Sequence, residues 1–190
     1  MTQPAERLES VADRFRRLAA GFTRIVGSVP ADRWESPSPC AGWTARDVLR
    51  HVITSQRDFV GRAGLTIPDG PAVQDDPRAA WGHVRDEVQR ILDDPELART
   101  EYQGFQGPAS LADTLGSFFS VDLVVHGWDI AHATGVDDRI PQEDIRFVRS
   151  FGDGMGDMMR SSGAFGPELP APEGADDQQR LLAFLGRAPV

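Results

Sequence analysis

The segment from Asp122 to Asp129 sets a carboxylate, an imidazole and a second carboxylate at positions i, i+4 and i+7. On a helix that advances about 100° per residue, these three share one sector roughly 100° wide with Leu111, Leu115, Phe118, Phe119 and Ala133. Val121, Leu123, Val124, Val125, Trp128 and Ile130 surround the same turns. The middle of this helix is therefore expected to be buried nearly all round, with Asp122 and His126 as buried polar groups. An unpaired carboxylate there would cost several kcal/mol, so the pair needs hydrogen bonds, an ion partner or a metal. Side chains at i and i+4 project the same way, so one cation can take a carboxylate oxygen and an imidazole nitrogen together. A hydrogen-bonded Asp–His pair in the core is the other reading, and the spacing alone leaves both open.

A third donor stands on another element. His51 lies about 60° round its helix from Val48, at the margin of the stripe Val48, Leu49, Val52 and Ile53. There it either reaches into a bundle as a ligand or stays at the surface. Asp129, one turn beyond His126, is the candidate catalytic residue, either orienting a ligand or accepting a proton. Trp43 and Trp128 are candidate pocket walls, or core. Cys40 reads as a buried small apolar residue, with a reactive thiol as the alternative. His83 lies among charged residues and His132 near a helix end that favours positive charge, so neither joins the candidate set.

These residues need helices to hold them. Leu8, Val11, Phe15, Leu18, Phe22 and Ile25 alternate at spacings of three and four, which predicts a first helix over about residues 5–27. Three prolines mark the loop that follows. Thr44, with Asp47 three residues on, resembles a capping box and opens a second helix over about 45–62. Gly64 to Asp76 reads as a loop, and Pro77 begins a third helix with the stripe Trp81, Val84, Val88, Ile91 and Leu92. A Gly/Pro connection through Gly104, Gly107 and Pro108 leads to Ser110, the cap of a long fourth helix that stops near Gly135. Pro141 opens a fifth helix to about residue 160, and a last short helix is expected at about 176–186. No sustained alternation calls for a strand. The expected fold class is all-α, four main helices centred near 16, 53, 86 and 122, packed as one domain over residues 1–190.

Composition narrows the function classes. A net charge of −9 argues against nucleic acid and anionic membranes as partners. No apolar run approaches the ~20 residues of a membrane span, and the first residues lack the pattern of a signal peptide, so a cytoplasmic location is expected. One cysteine rules out an internal disulfide and any multi-cysteine zinc site. All 20 basic residues are arginine and asparagine is absent, a bias that suggests a GC-rich genome. One of these arginines could clamp an anionic substrate, and the sequence singles out none.

Pro37-Ser38-Pro39-Cys40-Ala41-Gly42-Trp43-Thr44 running into Asp47-Val48-Leu49-Arg50-His51, then Asp122 to Asp129, and finally Leu181-Leu182-Ala183-Phe184-Leu185-Gly186-Arg187, resemble the actinobacterial DinB-like metal-binding proteins related to mycothiol-dependent maleylpyruvate isomerase. The resemblance implies a DinB-like up-down-down-up four-helix bundle with additional short C-terminal helices. It also implies one divalent metal, zinc or nickel, held by His51, Asp122 and His126. Isomerase-type relatives usually carry glutamate at the acidic position, where this chain has the shorter Asp122, and they carry a further C-terminal domain. A mycothiol-dependent S-transferase or isomerase acting on an electrophilic substrate is the implied function. A non-catalytic protein that binds a metal or small molecule is the alternative, and a homodimer is compatible with either.

Overall fold

A computed structural model describes residues 9–104, 107–156, 158–161 and 165–188. Ser10 caps α1 (Val11–Ser28) by accepting the Asp13 amide. The predicted start near residue 5 falls in a segment outside the described residues, but the cap places the first turn at Val11. Thr44 and Asp47 form a reciprocal capping box that starts α2 (Ala45–Arg62), as their spacing suggested. Asp76 caps α3 (Pro77–Asp93), with Pro77 in the first turn, where a missing amide hydrogen costs nothing.

The connection after α3 departs from expectation. A short α4 (Pro95–Ala98) leads into β1 (Glu101–Gly104), which pairs antiparallel with β2 (Gly107–Ser110). Strands of four residues are too short to imprint an alternating pattern, so the sequence shows only a Gly/Pro connection here. Tyr102 anchors it to the bundle by edge-on contact with Phe59, at 5.8 Å, and by a hydroxyl contact with Thr114.

The predicted fourth helix is continuous but not uniform. Ser110 caps α5 (Leu111–Thr114), a π-helical turn spans Leu115–Phe119, and α6 (Ser120–Thr134) ends at Gly135. The Ser120 hydroxyl donates to the Leu115 carbonyl at 3.0 Å inside the widened turn. A wider turn rotates later residues relative to earlier ones, so the single straight stripe drawn from the sequence breaks here. Phe119 stays buried, while Phe118 is 42% exposed and packs edge-on against Phe151.

α7 (Gln142–Met155) stops short of the predicted residue 160 because Gly156 takes φ +54°, a left-handed conformation that favours glycine. A turn of helix, α8 (Met158–Ser161), and α9 (Asp177–Phe184) follow. α1 and α2 each pack on both α3 and α6, giving the four-helix bundle, and α7 packs on α6 and α9. The core runs through Phe15, Phe22, Leu49, Trp81, Ile91 and Ile130, with Phe22 and Trp81 edge to face at 4.7 Å. No described helix is long and apolar enough to cross a membrane.

Candidate metal centre

α2 and α6 are neighbours, and their contact carries the chemistry. The capping box fixes the start of α2, and His51 follows about two turns later on the flank that faces α6. Asp122 and His126 lie one turn apart on α6. Donor atoms of His51, Asp122 and His126 all lie within 4.8 Å of one another. The two imidazole rings meet edge to face, with centroids 5.1 Å apart. All three side chains are partly exposed, so the expectation that the middle of α6 is closed all round is corrected on this side. Trp43, just before the α2 cap, stands beside the donors with 37% exposure and its ring 5.0 Å from His51. Trp43 thus flanks the donors, whereas Trp128 is buried away from them, stacked on His132 at 4.8 Å.

Hydrogen bonding separates the two readings of the Asp–His pair. Among the described residues, neither the Asp122 carboxylate nor the His51 ring makes a hydrogen bond. His126 bonds instead to Asp129, Nδ1 to Oδ2 at 2.9 Å. Asp129 is fully buried, and Arg187 grips it through both oxygens at 2.7 Å. Burial alone would raise the Asp129 pKa, but the Arg187 and His126 bonds hold it at about 2. An ionised carboxylate only accepts, so Nδ1 of His126 carries the hydrogen and Nε2 is the nitrogen left for an ion.

Burial and neighbouring charge shift the three donors in different directions. Burial works against a protonated His126, but bonds to Asp129 and Cys40, with the charges of Asp122 and Asp129, lift its pKa to about 10. Burial and the His126 charge push His51 down, against the pull of Asp122. Burial raises Asp122, against the cationic charges of His126, His51 and Arg187. A cation placed among the donors would do what the extra proton on His126 does in its absence.

Cys40, His126 and Asp129 form a second group with donor atoms equally close. The Cys40 thiol donates to Asp129 Oδ2 at 3.4 Å, and Arg187 Nη2 lies 3.9 Å from the sulfur. Arg187 already supplies a permanent positive charge to this group, whereas no arginine bonds to His51, Asp122 or His126 among the described residues. Cys40 is half-buried in the polar network beside the site, not an isolated apolar residue. His83 binds the Pro68 carbonyl and His132 pairs with Asp138, so both stand apart, as the sequence suggested.

A cleft of about 480 Å³ opens on the opposite flank of α6, between Phe22, Ile25, Val124 and Trp128. None of the three donors lines it, and its rim charges pair among themselves, Arg139 with Asp137 and Arg17 with Asp144. The donor cluster is the better candidate for chemistry.

Sequence reasoning reached His51, Asp122, His126 and Asp129 but missed Arg187. Its only signal was the Gly186-Arg187 pair ending the last of the three resembling segments. The family model for the mycothiol maleylpyruvate isomerase N-terminal domain matches residues 15–131, which contain all three donors and Asp129. An uncharacterised Mycobacterium tuberculosis protein is 28% identical over 181 residues, covering 90% of this chain and 94% of its own length. A second uncharacterised protein of that organism is 28% identical over 152 residues, covering 66% of this chain and 56% of its own. No solved structure matches the chain.

Proposed function

The chain belongs to the mycothiol maleylpyruvate isomerase N-terminal domain family, and from that premise we propose that it is a metal-dependent enzyme that activates a small-molecule thiol, mycothiol by the family's description, for transfer to an electrophilic carbon. The observation that carries the reading is the convergence of His51, Asp122 and His126 within 4.8 Å around a carboxylate that no described group hydrogen-bonds. Two imidazoles and one carboxylate suit zinc or nickel, and three protein ligands are the pattern of catalytic sites, in which a coordination position stays free.

A divalent ion held there supplies Lewis acidity that lowers the pKa of a thiol reaching it. The protein's own groups set the conditions. Asp122 contributes negative charge against the ion. Asp129 fixes the His126 tautomer and, with both oxygens engaged and a pKa near 2, serves as an orienting group and not as a proton acceptor. Trp43 offers an exposed aromatic face beside His51, against which the carbon skeleton of a ligand can lie.

Two measurements on purified protein test the proposal. Equilibrium titration should show one zinc per chain. Conjugation of mycothiol to a panel of electrophiles should depend on both metal and thiol. Tight zinc binding with no thiol-dependent rate over a broad panel would leave a non-catalytic binding protein as the better description.

A further inference from the structure

Asp129 lies outside the trio of donors, yet it accepts more bonds than any of them. Oδ2 takes His126 Nδ1–H at 2.9 Å, Arg187 Nη2–H at 2.7 Å and the Cys40 thiol at 3.4 Å, while Oδ1 takes Arg187 Nε–H at 2.7 Å. Of the two cations in contact with it, only Arg187 is permanently charged. Arg187 comes from beyond α9, far along the chain from the residues that the family model matches.

The backbone is built to deliver it. A capping box of Asp176 and Gln179 starts α9, and the helix ends in a Schellman arrangement, with the Gly186 amide on the Ala183 carbonyl at 3.0 Å and the Arg187 amide on the Leu182 carbonyl at 2.9 Å. Gly186 sits at φ +76°, and a Cβ there would stand 2.8 Å from the Pro167 carbonyl oxygen. Glycine alone fits this turn, and the turn sends the next side chain back onto α6. The Arg187 side chain is 11% exposed, so its charge is spent inside the protein on Asp129.

We infer that Arg187 is a positioning residue for the ion: its two-pronged bond fixes the Asp129 carboxylate in place, and Asp129 in turn engages Nδ1 of His126, leaving Nε2 for the group of His51 and Asp122. The inference rests on the metal reading above. Without the guanidinium, Asp129 loses the fork that holds both of its oxygens. A carboxylate no longer held in place engages His126 Nδ1 less firmly, and the ligand loses its orientation. Partners of this kind behind metal ligands are worth about 10–100-fold in affinity. The segment after α9 is then part of the metal centre.

Titration with zinc alone tests this on wild type, Arg187→Gln, Arg187→Lys, Asp129→Asn and the double variant Arg187→Gln/Asp129→Asn. Arg187→Gln should weaken zinc about 10–100-fold. Arg187→Lys keeps the charge but loses the fork, so it should fall between Arg187→Gln and wild type and remain informative should the glutamine variant fold poorly. Because Arg187 acts through Asp129, the double variant should bind zinc as weakly as Asp129→Asn alone, and not by the product of the two losses. A mere staple of the tail to the bundle would lower melting temperature in both Arg187 variants and leave zinc affinity at the wild-type value; that outcome, or multiplicative losses, overturns the inference. Failure of the wild type to bind zinc would instead overturn the metal reading.

Discussion

His126 is asked to do two things at once, one with each ring nitrogen. Nδ1 is engaged by Asp129, which leaves Nε2 for the group that His126 forms with Asp122 and His51. An imidazole so placed is a good ligand only after it gives up a proton that the surrounding carboxylates hold up to about pH 10. The sign of the consequence follows from linkage. The folded-state pKa lies above the ~6.5 of an unfolded histidine, so this stabilisation is fully present below about pH 6.5 and is lost as pH rises through about 10. Urea midpoints of chelator-treated protein should therefore fall as the pH is raised from neutrality toward 10, and zinc should remove most of that dependence by taking the proton's place. For the same reason zinc binding should release protons and weaken on acidification, which calorimetry in buffers of different ionisation enthalpy can read. Asp122→Asn conserves volume and removes the one anionic donor. It should bind zinc much more weakly than wild type, and His126→Ala should lose stoichiometric zinc altogether on elemental analysis.

Local sequence placed the helices because capping is local chemistry. Thr44 and Asp47 satisfy each other's backbone partners whatever the rest of the chain does, and the second helix begins where they predict. Thr44→Ala removes the side-chain acceptor of the Asp47 amide and should cost about 1 kcal/mol in urea unfolding, while the zinc affinity of the folded protein changes little. The long fourth helix was legible in extent but not in pitch. Its cap at Ser110 and stop at Gly135 are sequence signals, whereas the π-helical turn at Leu115–Phe119 depends on how that stretch packs in the bundle. That turn is why Phe118, counted among the buried stripe, is exposed. The hairpin of β1 and β2 was illegible for a different reason, since backbone pairing with almost no buried face leaves no periodicity to detect.

In the whole molecule, α2 and α6 bring ligands together from positions 51, 122 and 126, so a bound ion ties two helices that are distant in sequence. Zinc should accordingly raise the thermal midpoint with the logarithm of its concentration above Kd, as expected for a ligand of the folded state alone, and His126→Ala should show no such rise. The sequence by itself determined the helical class, the main helix boundaries and the i, i+4, i+7 display of Asp122, His126 and Asp129, because periodicity, caps and helical spacing act over a few residues. Tertiary structure alone decided that His51 joins Asp122, that Asp122 makes no hydrogen bond with His126, that Trp43 stands exposed beside His51 while Trp128 is buried, and that Arg187 crosses from beyond α9 to hold Asp129. Those facts depend on which helix faces pack together and on where a left-handed glycine turns the tail, and contacts between residues so far apart in the chain leave no local pattern in the sequence.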